Sequence, residues 1–570
     1  MRIKVFRIIV VILFIITVLN LIYIQAIRGG YYYDLSMNNR IRVVPTEGWR
    51  GRIFDRNGVL LADNHRTYNV MVTPQDVKDG EELFSFLSSA LGINERVLLR
   101  TYRLREVAPF EPVVVAENIS REQAIVLEEN TYRFPSLMVQ ESFRRIYPLR
   151  ENSAHVLGYV GKMNESDINL LEEYGYSPQS LVGYLGVEEY YNEILRGDTG
   201  GLQLEVNSRG QQVRLLSFKE PVKGTDITLT IDSKIQGAAL NLLQSKIGSI
   251  IVMDADNGEI LALTNFPAFD PNLFSDPKSS SGVQGLLSNS QSPLLNRAIK
   301  GLYPPGSVFK IPVAMAALDL NKIIPATTFY CPGFYELGGR KFGCSHVHGP
   351  QNLIEAIAHS CNVYFFHVGL TVGADAIYRY ADLLGLGNLT RVDIPYEKKG
   401  SIPHRAQNIL SGKRWYTGNT LNFSIGQGDT LITPLQLTRM MATVFNDGLQ
   451  VQPHIIRLIG DKAVLRYNAK QQLKIDPEIF RIIKQGLKGA VQSESGTAHV
   501  LDIAGFDIEG KTGTAQSFGE KGTHAWFVGY VAGAKRRLTF CVFLEHGGGS
   551  ENACWVARSL LEAMIKDGAI

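Results

Sequence analysis

Gly301-Leu302-Tyr303-Pro304-Pro305-Gly306-Ser307-Val308-Phe309-Lys310 runs directly into Ile311-Pro312-Val313-Ala314-Met315-Ala316-Ala317-Leu318. Two prolines and a glycine force a turn, and the alanine-rich run after them predicts a buried helix. Ser307 then falls at or next to the helix start and Lys310 one turn later, so hydroxyl and amine share a face. A serine hydroxyl is a weak nucleophile until a base takes its proton. A lysine desolvated at the root of an apolar helix can be that base. An isolated S-x-x-K is more often an N-cap serine followed by a surface lysine, so other parts of the chain must decide.

Two further elements do so. Ile354 to Ala358 reads as a helix end, followed by His359-Ser360-Cys361-Asn362. In extended or turn geometry Ser360 and Asn362 project together while Cys361 points the other way. A hydroxyl and an amide side by side in a cleft can relay a proton and bind a backbone-like amide. Phe506 to Gln516 reads as a strand containing Lys511-Thr512-Gly513-Thr514. Gly513 lets a ligand backbone approach the strand closely. Lys511 and Thr512 offer a cation and a hydroxyl to a carboxylate, and the Thr514 amide can donate to an oxyanion. Ala525–Tyr530 and Leu538–Leu544 read as partner strands of an antiparallel sheet, closed by a helix from about Asn552 to Lys566. Each motif alone occurs by chance. S-x-x-K, S-x-N and K-T-G in this order, on helix, loop and strand, closely resemble the trio of β-lactamases and penicillin-binding proteins.

The 570 residues suffice for two or three domains with full cores. A net charge of +3 with 20% charged residues implies no field for nucleic acid, and no nucleic-acid partner is expected. Five cysteines, an odd number, do not make a disulfide scaffold. Arg2, Lys4 and Arg7 precede an uncharged run from Ile8 to Ile27, long enough to cross a bilayer as a helix. The run is longer than a signal-peptide core and lacks a small-residue cleavage site, so an uncleaved anchor is expected. The basic residues before it keep the N-terminus in the cytoplasm and place the rest outside. The expected organisation is a cytoplasmic N-terminus 1–7, an anchor 8–28, an extracytoplasmic pedestal 29–222 and a catalytic domain 223–570.

In the pedestal, Tyr31 to Asn39 reads as a juxtamembrane connector. Arg50-Gly51-Arg52-Ile53-Phe54-Asp55-Arg56-Asn57-Gly58 reads as a tight hairpin without chemistry. Glu81–Arg105 and Arg121–Tyr132 show helical periodicity, and Leu181–Glu188 opens a helix. Pro221–Asp226 is the expected joint. Beyond it, Ile227–Asp232 predicts a strand, Gly248–Asp254 and Ile260–Thr264 a hairpin, and the serine-rich Ser275–Gln291 a mobile loop. The fold class is α+β: an apolar anchor, an α+β pedestal, and an antiparallel sheet flanked by helices with an all-helical subdomain.

On these motifs the chain resembles a class B penicillin-binding protein, a monofunctional peptidoglycan D,D-transpeptidase, over essentially its whole length. Leu204–Gly210, Tyr303–Ser307, Ser424-Ile425-Gly426-Gln427-Gly428 and Thr433–Gln436 resemble the elongation branch (penicillin-binding protein 2) more than the division branch. The resemblance implies that Lys310 deprotonates Ser307, which attacks the penultimate D-Ala carbonyl of a stem peptide. Ser360 with Lys511 returns the proton, Asn362 orients the donor amide, and Thr512, Gly513 and Thr514 bind the substrate end. It implies β-lactams as inhibitors, lipid-linked glycan strands as substrate, the membrane as location, a polytopic membrane glycosyltransferase as partner, and no cofactor for the chemistry. A division-type transpeptidase, a D,D-carboxypeptidase or a β-lactamase-like hydrolase are the alternatives.

Cys331, Cys344, His348 and Cys361, with His346 as a competing ligand, lie between the first motif and the end of the second. Three sulfurs and an imidazole suit tetrahedral zinc, although the spacing is not that of a zinc finger. A Cys331–Cys344 disulfide and free buried thiols are the other readings.

Overall fold

The computed structural model describes residues 2–32, 41–46, 48–106, 108–109, 112–163, 181–206, 212–276, 279–405, 412, 414–464, 471–517 and 522–570. The connector beyond Tyr32 and the Asn207–Gly210 stretch lie outside them. Ile3–Ile27 is the one described helix long and apolar enough to cross a membrane. The chain divides into two compact units, one of residues 1–51, 64–144 and 196–224, the other of 52–63, 145–195 and 225–570.

In the first unit, Ile41–Thr46, Gly200–Val206 and Gln212–Lys219 form an antiparallel sheet with Gly200–Val206 in the middle. A separate core gathers Val70, Val72, Leu83, Leu87, Leu98 and Leu127. The periodic run Glu81–Arg105 is two helices, Gly80–Leu91 and Glu95–Arg105. Gly92 ends the first in the left-handed region at φ +66°, and the Asn94 side chain caps the second. Periodicity continues across this break because both helices present apolar faces to the same core.

The second unit is built on a five-stranded antiparallel sheet. Its strands are β1 (Gly248–Asp254), β2 (Ile260–Phe266), β3 (Asp507–Gln516), β4 (Thr523–Ala532) and β5 (Arg537–Leu544), in the order β2-β1-β5-β4-β3. Strand alternation divides β1 between two cores. Ile250 and Val252 join one with Phe527, Leu560 and Leu561, whereas Ile251 and Met253 join the other with Trp526 and Phe543. Both faces are therefore covered, the first by the C-terminal helix and the second by a helical layer. Helix α1 (Lys310–Asp319) belongs to that layer and is buried from Lys310 to Leu318, as expected of a helix apolar all round. Around it stand α2 (Leu353–Ala358), α3 (Asn362–Val372) and α4 (Pro477–Gln492), and α5 (Ser550–Lys566) closes the chain. The serine-rich Ser275–Gln291 is not a bare loop. Ser280–Leu287 is helical, because Val283, Leu286 and Leu287 recur at helical spacing among the serines. Leu181–Tyr184 is a strand paired with Tyr159–Lys162, and the helix starts only at Gly186.

Of the Arg50–Gly58 hairpin, residues from Arg52 onward fall in the second unit. Asp55 is fully buried and accepts hydrogen bonds from the amides of Asn57, Val59 and Ser233 and from the Ser233 hydroxyl. Arg56 pairs with Glu259 at 3.1 Å. The acidic residue is thus a structural knot that joins the hairpin to the start of the helix Ser233–Leu243. Asp55→Ala leaves these donors unmatched and is expected to cost about 2–4 kcal/mol. Thermal unfolding should show a Tm several degrees lower than that of wild type.

Candidate active site

The turn before Ser307 is held from three sides. Tyr303 exchanges backbone hydrogen bonds with Ile432, the Trp526 indole donates to the Pro304 carbonyl at 3.1 Å, and the Gly306 amide donates to Gly426 at 3.1 Å. Gly426 stands at φ +67°, and a Cβ there would lie 2.3 Å from the Gly306 carbonyl oxygen. Gly306–Phe309 is a turn of 3₁₀ helix that leads into α1. Residues three apart eclipse in that geometry, which puts Ser307 and Lys310 on one face.

Lys310 is fully buried and donates three hydrogen bonds to the S-x-N segment some fifty residues away. Its Nζ meets the Ser360 carbonyl at 2.6 Å, the Asn362 Oδ1 at 2.8 Å and the Ser360 Oγ at 3.2 Å. Burial pulls its pKa down to about 8, while the Cys344 and Cys361 sulfurs act weakly in the other direction. Ser360 can offer two acceptors because of its backbone. It stands at φ +55° two residues beyond the end of α2, and the Cys361 amide reaches back to Ala356 while the Ser360 amide reaches Ile357. Glycine usually takes that place at a helix end. A serine there is held in a sparsely populated region, which costs of order 1–3 kcal/mol. Asn362 and Ser360 thus meet the same amine, while the Cys361 sulfur accepts from the Tyr364 amide and lies 4.0 Å from that of Cys344.

Strand β3 forms the opposite wall at a free edge of the sheet. A Cβ on Gly306 would sit 2.6 Å from the Thr514 carbonyl oxygen, so that carbonyl points away from β4 toward the Ser307 turn. In a strand the N–H of a residue points the same way as its C=O, so the Thr514 amide is aimed there as well. A Cβ on Gly513 would lie 2.8 Å from the Pro305 carbonyl oxygen and 3.1 Å from Val308 Cγ2, so only glycine allows this approach. The Thr514 hydroxyl accepts from the Ser550 amide at 3.2 Å, which leaves its own proton free to donate. Lys511 is fully buried, and its pKa is well below normal, first through burial and then through the neighbouring Lys310. A positive charge on either amine therefore disfavours one on the other.

Some of the arrangement escapes motif reading. The Thr512 hydroxyl donates to the Thr497 hydroxyl at 2.9 Å, and Thr497 reaches the Ala358 carbonyl at 3.3 Å. Thr497 thereby ties α2 to β3. Its only sequence signal is the polar turn Ser493-Glu494-Ser495-Gly496 before it. The Gln427 amide donates to the Thr514 carbonyl at 3.4 Å, in a stretch noted above only as a branch marker.

Beside the S-x-N segment, the candidate ligand atoms of Cys331, Cys344, His348 and Cys361 all lie within 4.8 Å of one another. His348 Nδ1 is 3.6 Å from the Cys331 sulfur and 3.5 Å from that of Cys344, and the Cys344 and Cys361 sulfurs are 4.0 Å apart. His346 turns its carbonyl, not its ring, to Cys331. All five cysteines are free. Negative charge settles on Cys344, which accepts from the Cys361 thiol and from the backbone at the start of α3. That contact includes the Asn362 amide at 3.1 Å.

Residues 248–562 match the Penicillin binding protein transpeptidase domain, and residues 45–229 the Penicillin-binding Protein dimerisation domain. The chain belongs to the penicillin-binding protein transpeptidase family. It is 31% identical to the Peptidoglycan D,D-transpeptidase MrdA of Escherichia coli (strain K12), over 96% of this chain and 92% of that one. The MrdA of Haemophilus influenzae is 32% identical over 95% of this chain and 88% of its own. Among solved structures, PBP2 of Helicobacter pylori in complex with MreC superposes with a TM-score of 0.84. It shares 28% identity, over 93% of this chain and all of that one. A chain of a peptidoglycan synthase complex gives 0.74 at 30% identity, over 99% and 98%.

In this penicillin-binding protein the Gly513 approach is directly testable. Gly513→Ala forces the Pro305–Val308 turn away from β3 and should slow acylation by a fluorescent penicillin about tenfold or more. Circular dichroism of the variant should match wild type.

Proposed function

We propose that the chain is a peptidoglycan D,D-transpeptidase of the elongation type, which cross-links stem peptides through an acyl-enzyme on Ser307. The observation that supports this reading best is the convergence at Lys310. Its amine bonds Ser360 and Asn362, while the turn carrying Ser307 lies against Gly513 and Thr514. Lys310, once it has lost a proton and with it one of its three donated hydrogen bonds, takes the Ser307 proton on the freed lone pair, and the oxygen attacks the penultimate D-Ala carbonyl. The oxyanion rests on the amides of Ser307 and Thr514, each worth on the order of 3 kcal/mol in such sites. Ser360 returns the proton to the departing D-Ala. Thr512 and Thr514 receive the substrate carboxylate, which draws positive charge to Lys511 and so favours neutral Lys310. An amine of a second stem peptide then attacks the acyl-enzyme, and Ser307 is released. A β-lactam follows the first half of this course and stays on Ser307.

Arg2, Lys4 and Arg7 before the apolar helix favour a single-pass protein with its N-terminus inside and the catalytic unit outside the cytoplasmic membrane. The likeness to PBP2 bound to MreC and to a peptidoglycan synthase complex supports work in an assembly with a polytopic membrane glycosyltransferase.

Cys331, Cys344, His348 and Cys361 are proposed to hold a structural zinc ion, apart from the chemistry. Tetrahedral zinc at about 2.3 Å from sulfur and 2.0 Å from nitrogen sets S···S separations of about 3.8 Å and S···N of about 3.5 Å. The observed 4.0 Å and 3.5–3.6 Å match this set. Through Cys344 such an ion sits on the amide of Asn362 and steadies the start of α3. Elemental analysis of the purified protein should find one zinc per chain, lost in Cys344→Ala; a protein free of zinc contradicts the assignment.

Labelling with fluorescent penicillin tests the transpeptidase reading. Wild type should form a stable adduct and Ser307→Ala none. The neutral form of Lys310 is the base, so the acylation rate should fall about tenfold per pH unit below 8 and level off above it. A rate independent of pH between 6 and 9 contradicts Lys310 as the base.

A further inference from the structure

Phe334–Leu337 and Arg340–Gly343 form a two-stranded hairpin between Cys331 and Cys344. Its base closes through the Cys344 amide on the Gly333 carbonyl at 2.8 Å. It also touches the S-x-N segment directly, since the Asn362 side-chain amide donates to the Gly343 carbonyl at 3.1 Å. Residues directly opposite in an antiparallel pair share a face. The register Tyr335↔Phe342 and Leu337↔Arg340 defines one face, and Glu336↔Lys341 and Phe334↔Gly343 the other.

The first face is an anchor. Tyr335, Leu337 and Phe342 pack on the core, and the rings of Tyr335 and Phe342 both meet Phe366. The second face is open. A Cβ on Gly343 would meet nothing within 4 Å. The exposed Lys341 ammonium lies 4.3 Å from the centre of the Phe334 ring and forms no ion pair with Glu336 opposite it, among the described residues. A cation held over a ring is oriented without being neutralised. This face therefore presents one oriented cation, Lys341, with the Glu336 carboxylate opposite it, on the hairpin that touches Asn362.

Its place suits the second substrate. Strand β3 and its threonines take the donor peptide. Because the acceptor amine enters as the leaving amine departs, its nitrogen must sit by Ser360 and Asn362. The rest of the acceptor then extends from the S-x-N side, over the open side of Gly343. A stem peptide that attacks as an amine also carries free carboxylates. We infer that the face formed by Phe334, Lys341 and Gly343 is the acceptor subsite, with Lys341 binding an acceptor carboxylate. This rests on the transpeptidase reading above and adds the location of its second substrate.

The test uses the full chain in detergent, a donor pentapeptide ending in D-Ala-D-Ala, and the tripeptide L-alanyl-γ-D-glutamyl-meso-diaminopimelate as acceptor. Fluorescent-penicillin acylation, which reads only the donor half, should stay within about twofold of wild type in Lys341→Glu. The ratio of cross-linked to hydrolysed product should fall about tenfold in Lys341→Glu and recover in Lys341→Arg. Wild type given the fully amidated tripeptide should show the same fall, with no further loss in Lys341→Glu. An unchanged product ratio in Lys341→Glu overturns the subsite, and so does a fall matched by an equal loss of penicillin acylation. Wild type that takes up no penicillin overturns the transpeptidase reading and the subsite with it.

Discussion

A fully buried amine with three hydrogen-bond acceptors is the constraint on which the catalytic unit depends. Lys310 has no solvent to accept its hydrogen bonds, so Ser360 and Asn362 must supply the acceptors. That requirement explains a serine in a left-handed backbone position where glycine is usual. It also explains why α2 and α3 are separate helices, since a continuous helix would turn Ser360 and Asn362 apart. Burial weakens the hold of Lys310 on its proton, and the acceptors keep it in place. The result is an amine fixed in place with its pKa drawn down to about 8.

The surrounding fold works as a set of clearances. Gly306, Gly426 and Gly513 each stand where a Cβ would strike backbone, and together they let three chain segments meet around Ser307. Behind them, Trp526 fixes the Pro304 carbonyl from β4, and the Asp55 knot secures the start of the helix Ser233–Leu243. On the other side of the S-x-N segment, the Cys344 sulfur takes the Asn362 amide. The position of Asn362 is thus set by Lys310, Gly343 and Cys344 at once.

Much of this is legible in the residues alone. S-x-x-K, S-x-N and K-T-G identify the residues that meet, because each carries a chemical group and a local geometry that spacing reveals. The C-terminal strands are legible for the same reason: their apolar runs are long and bounded by turns. What escapes is the non-local part. Thr497 has no signal apart from the contact it makes across the fold with Thr512 and Ala358. The burial of Lys511, which together with Lys310 draws its pKa well below normal, depends on packing that a K-T-G string does not encode. Gly92 hides between two helices that face one core, and the serines of Ser275–Gln291 mask an apolar stripe.

The most direct test of Lys310 as the shared centre is mass mapping of peptides after brief exposure to benzylpenicillin, with wild type and Lys310→Ala side by side. The expected result is a single adduct on the Ser307 peptide in wild type and a rate at least a thousandfold lower in the variant, whose melting curve shows it folded. Acylation of Ser307 at the wild-type rate in Lys310→Ala contradicts the account.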